Sequence, residues 1–287
     1  MRTVTNRMSG ILCLSALALG ALCLCGAGGP APKGKKAVPP SSRYVLDIPN
    51  TKMGFAVYVN GWLIDHNPGG KVGYFSSSRL GSAVADGQNT VILYVDNPKV
   101  APPPQDRCEV RIRSEAGEAF HYDWEPGDPK RPLPFEAKGH FTAHLPHGPY
   151  TWQRGSTVAI GAKEKEGLNA LIVRVESALE ARNVGETTAL FQAQVRDGGL
   201  ARGLTASEAA AENRAEWVKS FADPHWRRDP IDFAHLTYAV IADGRAVEVR
   251  RADGGLVFRA AAPPHEGYDV VFCLVDGRWT LIGPSGS

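Results

Sequence analysis

Three groups of residues in this 287-residue chain have types and spacings that could do chemistry. His140, His144 and His147 form H-x3-H-x2-H. A metal needs neutral imidazoles converging at about 2 Å, with an open position if it is to be catalytic. On a strand, His140 and His144 share a face but stand about 13 Å apart at about 3.3 Å per residue. They therefore read as a solvated histidine edge, and no metal is expected. Asp229, Asp232, His235 and Tyr238 cluster ahead of the last strands and include the types used for proton transfer. Asp229-Pro230 and Asp232 fit turn and cap positions equally well, so no catalytic residue is assigned. Trp62, Asp65, His66 and Trp124, with Tyr74 and Asp123 nearby in sequence, suit a sugar-binding surface. Aromatic faces stack on a pyranose and short polar groups bind its hydroxyls. The same aromatics could instead fill a core.

Other chemistries lack their residues. The chain has no G-x-S-x-G elbow, no P-loop, no H-E-x-x-H and no nucleotide fingerprint after a strand. No cofactor is expected. Enzymatic activity is left open, with a non-catalytic role favoured.

The elements that would position these groups begin after an unusual start. Residues 1–27 carry only Arg2 and Arg7, then the apolar run "SGILCLSALALGALCLCGAGG". A basic start, an apolar core and small residues beyond it make an export signal. An uncleaved anchor helix is the competing reading, because the run nears the length needed to span a bilayer. Cleavage before Gly28 is one outcome. Cleavage at Cys25 is the other, since "LCLC" before "GAGG" resembles a bacterial lipoprotein signal; Leu24 departs from the small residue usual before the cysteine. Residues 28–42 then read as a Gly/Pro/Lys tether. The expected location is the periplasm or cell surface, with Cys25 the candidate lipid attachment site.

Without Arg2 and Arg7 the chain has thirty basic and thirty acidic residues. That balance makes no electrostatic case for nucleic acid. A glycan or an envelope protein is the expected partner. Cys108 and Cys273, the two cysteines outside the leader, alternate with apolar neighbours and read as small buried side chains; a disulfide between them is the alternative in an oxidising compartment.

From residue 43 to 160 the spacing is that of strands and turns. "FAVYV-NG-WLIDH" is a hairpin about Asn60-Gly61. "NTVILYVDNP" is an unbroken apolar run and predicts a strand covered on both faces. "CEVRIRSE", "EAFHYDWE" and "FEAKGHFTAHL" continue the pattern, which predicts a β-sandwich. The hairpin at Asn60-Gly61 and the Gly87-x-Asn89 turn before the long strand resemble the galactose-binding-like jelly roll found as an accessory domain of β-galactosidase-type glycosidases. The likeness covers about Phe55 to Pro98. It implies a fold, and in that family the domain is often scaffold.

From 161 to 287 the period changes. Leu168, Leu171, Ile172, Val175 and Leu179 fall on one helical face, although "GLNALIVRV" also echoes the strand "GQNTVILYV". Asn183-x-x-Glu186 predicts a second helix stopped by Gly198-Gly199, and Thr205-x-x-Glu208 a third that stops before Pro224. Asp-Gly turns at Asp243, Asp253 and Asp276 predict a meander of about five strands. Three helices before such a meander, closing in "VDGRWTLI", resemble the NTF2-like (SnoaL-like) α+β domain. That resemblance implies a cone around a helix, sometimes with a pocket, which is the alternative seat of a small ligand or an acid/base pair. The fold class expected is therefore mixed: a jelly-roll-like β-sandwich, then an α+β module. The intact mass of the membrane-extracted protein tests the leader: cleavage at Cys25 with added lipid, or cleavage before Gly28 without it, are the expected products, and the full uncleaved mass refutes an export signal.

Overall fold

The computed structural model describes residues 43–67, 74–96, 107–125, 130–147, 149–224, 226–261, 267–268 and 270–283. The leader at 1–27, the tether at 28–42 and Cys25 lie outside the described residues.

Eight strands come first: β1 (Val45–Thr51), β2 (Gly54–Val59), β3 (Trp62–Asn67), β4 (Tyr74–Arg79), β5 (Gly87–Asp96), β6 (Cys108–Ser114), β7 (Gly117–Trp124) and β8 (Phe135–Ala143). They form two antiparallel sheets, ordered β4-β1-β6-β7 and β3-β2-β5-β8. Alternate residues of each strand point inward. Leu46, Ile48, Val110 and Ile112 of one sheet meet Val57, Val59, Val91, Leu93 and Val95 of the other in a single core. This is the layering of a β-sandwich. The expectation for β5 needs correcting: only one of its faces is covered, since Val91, Leu93 and Val95 are buried while Tyr94 is 42% exposed. Its run is apolar because the outward residues Ile92 and Tyr94 furnish a part-apolar outer surface.

Four helices follow: α1 (Ala162–Glu180), α2 (Val184–Leu190), α3 (Gln192–Ala201) and α4 (Ala206–Ala222). The stripe Leu168, Ile172, Val175 and Leu179 is fully buried on α1, so the helical spacing prevails over the strand-like echo. Asn183 caps α2, its side chain accepting from Glu186 N–H at 3.1 Å. The expected second helix is in fact two, because the chain breaks at Phe191. Gly198 and Gly199 do not stop it. A Cβ on Gly199 would lie 2.3 Å from the Ala209 Cβ, so this glycine lets α3 and α4 approach closely. The stop is Gly203, at φ +82°, where Leu204 N–H donates to Gly199 O at 2.9 Å. On α4 the Thr205/Glu208 box forms in both directions, at 3.2 and 2.9 Å.

The last strands are β9 (Thr237–Ile241), β10 (Ala246–Arg250), β11 (Phe258–Arg259), β12 (Gly267–Tyr268), β13 (Val271–Val275) and β14 (Arg278–Ile282). Rather than one five-stranded meander they make a four-stranded sheet, β14-β13-β10-β9, and the two-stranded pair β11-β12. Asp243-Gly244 and Asp276-Gly277 turn with positive φ between strands, as their chemistry requires. The apolar face of α1 packs with Val247, Val249, Phe272 and Leu281 of the sheet.

The two parts meet turn to turn. Asn60 (φ 51°) and Gly61 (φ 76°) close the β2–β3 hairpin, and Gly61 O accepts from Ala242 N–H of the β9–β10 turn at 3.3 Å. Trp62, Ala83, Tyr150 and Trp152 join Ala242, Ala246, Val271 and Cys273 in a shared apolar cluster. Trp152 donates its indole N–H to Ser82 O at 2.7 Å, and Thr151 N–H donates to the buried Asp197 carboxylate at 2.7 Å. Beneath the hairpin, the Asn60 amide donates to Asn89 Oδ1 (2.7 Å) and Ala83 O (2.9 Å) and accepts from Thr90 N–H (3.0 Å). Asn89 in turn donates to Ala85 O and Gly87 O and accepts from Ala85 N–H. Both amides are thus fully partnered, which buried amides require. The two turn signals of the first half, sequentially separate, form one network.

A Cβ at Gly61 would sit 2.5 Å from Asp243 N, whereas one at Gly277 (φ 73°) meets nothing within 4 Å. Both positions share the left-handed penalty of about 1 kcal/mol. Gly277→Ala is therefore expected to cost about that much, and Gly61→Ala about 1–3 kcal/mol more, because overpacking adds about that range. Equal losses in denaturant melts would refute the turn-to-turn contact.

Candidate functional site

Of the four residues proposed for a sugar surface, the structure brings only one to an open concavity. Trp62 is 4% exposed and packs edge-on to Trp152, with ring centroids 6.1 Å apart. Trp124 is 2% exposed; its indole N–H donates to Arg131 O at 3.2 Å and its ring lies 5.7 Å from Phe135. Neither indole offers a face to solvent. Asp65 is 7% exposed and accepts from the Tyr74 hydroxyl at 2.5 Å; its other oxygen has no hydrogen-bond partner among the described residues. The inward turn of both Trp62 and Asp65 follows from a register irregularity. Val57 pairs with Asp65 and Tyr58 with Leu63, which leaves Ile64 without an opposite residue. Such a bulge shifts the facing of the residues on either side. His66, half-buried, points outward.

The other nominated groups have structural work. His140 Nδ1 lies 3.5 Å from Thr90 Oγ1, and the His147 ring stacks 4.8 Å from Tyr150. Among the described residues no three His, Cys, Asp or Glu side chains gather where a metal could be held. Asp229 pairs with Arg259 at 2.6 Å and faces Arg251 at 3.5 Å. Asp232 caps Ala234 N–H and pairs with His235 at 2.7 Å, both side chains standing in solvent. Tyr238 gives its hydroxyl to Asn169 at 2.6 Å. Trp217 stacks on Phe221 at 5.4 Å, and Trp226 closes on Phe221 at 5.2 Å, so these rings fill the space near them. Cys108 is buried in the sandwich core and Cys273 in the shared cluster; burial and the nearby Asp197 push the Cys273 thiol up to about 12. Sequence reasoning missed Arg251, a guanidinium only 8% exposed that donates to Asp229 O (2.6 Å), Pro230 O (2.8 Å) and Val257 O (2.9 Å). An arginine after a strand carries no signal of that task.

The open concavity is a groove of about 510 Å³ across the outer face of the β3-β2-β5-β8 sheet. His66 and Tyr94 both stand opposite Ala56, on either side of it, and Glu136 stands opposite Tyr94. One row across four strands therefore reads imidazole, methyl, phenol, carboxylate. Asp96, Phe135 and Pro134 complete its end. Tyr94 is held on two sides: Tyr58 lies edge-on at 5.7 Å and 87°, and the hydroxyl bonds Glu136, which raises the phenol pKa. Lys138 pairs with Glu136 at 2.8 Å, and that contact, then Tyr94, holds the carboxyl below its usual range. Tyr94 is the member of the site that sequence reading missed, because its strand looked covered on both faces. A second cleft, about 600 Å³, lies between α3 and α4 beside Gln194, Asn213 and Trp217 and is bordered by an Arg202–Glu212 pair at 3.1 Å.

Compared with known proteins, the chain matches no family model, no curated protein and no solved structure.

Burial, then the bond to Asp65, pushes the Tyr74 phenol up to about 12 from 10. A folded-state pKa raised in this way lends stability that is complete below pH 10 and lost as pH climbs toward 12. Tyr74→Phe is expected to flatten the fall in stability over that window and to cost about 1–3 kcal/mol at neutral pH by leaving the Asp65 carboxylate short of a donor. Denaturant melts from pH 8 to 12 check both; an unchanged slope would show that Tyr74 is not so held.

Proposed function

We propose that this chain is an exported protein of the cell envelope with a non-catalytic binding or scaffolding role. The observation that carries the reading is the contrast between its two halves. In the helical half the aromatic residues pack on one another, and Asp229, Asp232 and His235 are engaged in ion pairs and caps. General acid/base work needs a sequestered group poised over a substrate site. In the sandwich half a groove with a fixed aromatic ring stands open. The partner is a glycan or an envelope protein, met at this groove, with His66 the retained member of the sugar-surface residues. Periplasmic or surface location and lipid at Cys25 belong to the same proposal. No helix among the described residues is long and apolar enough to cross a membrane.

Two four-stranded antiparallel sheets over one core support a galactose-binding-like jelly roll, and a sheet packed along α1 supports an NTF2-like second part. The cleft between α3 and α4, bordered by Trp217, favours a second reading in which the later part holds a small ligand.

Cosedimentation with washed envelopes from the source cell tests the binding role. Wild-type protein is expected to pellet, and Ala56→Trp, which fills the groove from an outward-facing position, to remain in the supernatant. Equal pelleting of both would refute the groove as the contact.

A further inference from the structure

We propose that the groove on the β3-β2-β5-β8 sheet seats one pyranose ring of a neutral glycan between His66 and Tyr94, an assignment that rests on the binding role above and names its ligand. The spacing comes from the sheet. Adjacent strands lie about 4.8 Å apart, so side chains flanking one strand stand about 10 Å from each other. Ala56, the residue between, is a methyl group and leaves that gap open. One ring in van der Waals contact with a wall on each side needs about 7–8 Å. The gap takes a single ring and excludes two.

The rim selects the chemistry of that ring. Groups able to accept from hydroxyls surround the slot: the Glu136 and Asp96 carboxylates, the Tyr94 oxygen and the His66 imidazole. A lipid tail or a plain aromatic ligand would strip water from these groups and return no hydrogen bond, at a cost of about 1–3 kcal/mol each. Among the described residues that line the groove none is a lysine or arginine, so these offer phosphate, carboxylate or sulfate ligands no counter-charge. Glu136 is already matched by Lys138. A polypeptide adding as a strand is also excluded at the slot, because β2 and β5 are hydrogen-bonded to neighbours on both sides. A neutral sugar, with C–H faces for the rings and hydroxyls at its edge, meets each of these demands. Tyr94 is ordered in advance by Tyr58 and Glu136, so stacking on it immobilises no side chain.

Native electrophoresis of the full chain in gels cast with galactan, xylan, mannan or β-glucan reads the outcome. The wild type is expected to be retarded by at least one of these polymers. Tyr94→Ala and His66→Ala should each weaken that retardation roughly tenfold or more, Ala56→Trp should abolish it, and Val240→Ser on β9 should leave it unchanged. Retardation that survives Tyr94→Ala and Ala56→Trp overturns the assignment. So does the absence of retardation in all four gels. If in that case the wild type still pellets with envelopes and Ala56→Trp does not, the glycan is refuted while the groove remains a binding surface for a polypeptide; if neither pellets, the binding role falls with it.

Discussion

The fold depends on a pair of buried side-chain amides. Asn60 and Asn89 sit beneath the β2–β3 hairpin, and each side-chain nitrogen and oxygen of the pair is hydrogen-bonded. Replacing either would strand the other in a place water does not reach, which is the costly half of the hydrogen-bond balance. The network fixes where the hairpin points. The hairpin points at the β9–β10 turn, and there a backbone hydrogen bond, the Gly61 approach and the packing of Trp62 and Trp152 with Ala242 and Ala246 join the two parts. A local choice of residues that can adopt positive φ thereby becomes a long-range constraint. The groove benefits at one remove: β2 and β3, which carry Ala56 and His66, are the strands this hairpin joins.

The distribution of charge points the same way. Several titratable residues are spent on one another. Arg259 spans Asp229 and Asp253, both at 2.6 Å, and Arg251 ties together two stretches of backbone, at 229–230 and at 257, from within the fold. Glu176 is a carboxyl held above its usual range, by burial and the neighbouring Glu180, and it lies against Ile231 N–H rather than in either concavity. A carboxyl shifted by burial is a sign of function only where a substrate can reach it. On the sandwich face, by contrast, charge is neutralised locally and the ring of Tyr94 is presented.

Local chemistry was legible and tertiary chemistry was not. Asn60-Gly61, the Thr205/Glu208 box and the Leu168–Leu179 stripe each depend on residues within a few positions of one another, and each formed as its residues dictate. The break at Phe191 depends on how α2 and α3 pack against α4, and Gly199 looks like a stop until Ala209 is seen against it. Two of the three buried residues of the sugar-surface reading, Trp62 and Asp65, turn on one residue of β3, whereas Trp124 lies inward on β7. Strict alternation along β3 cannot place both Trp62 and Asp65 inside, but the bulge at Ile64 does. Tyr94 is hidden in the sequence for the opposite reason: a run of apolar residues reads as doubly buried, yet one face of it lines a surface depression. His66 was found because polar-aromatic residues beside a hairpin are conspicuous; its partner across Ala56 is twenty-eight positions away and meets it only through the sheet.

The turn-to-turn join has a consequence for descent. Hairpin loops are ordinarily where chains gain and lose residues at little cost, since their tips stand in water. Here two such tips, at 60–61 and 242–244, abut. An insertion in either would wedge the halves apart, so length variation among descendants of this chain is confined to its other connections, and these two turns become tightly inherited parts of the molecule.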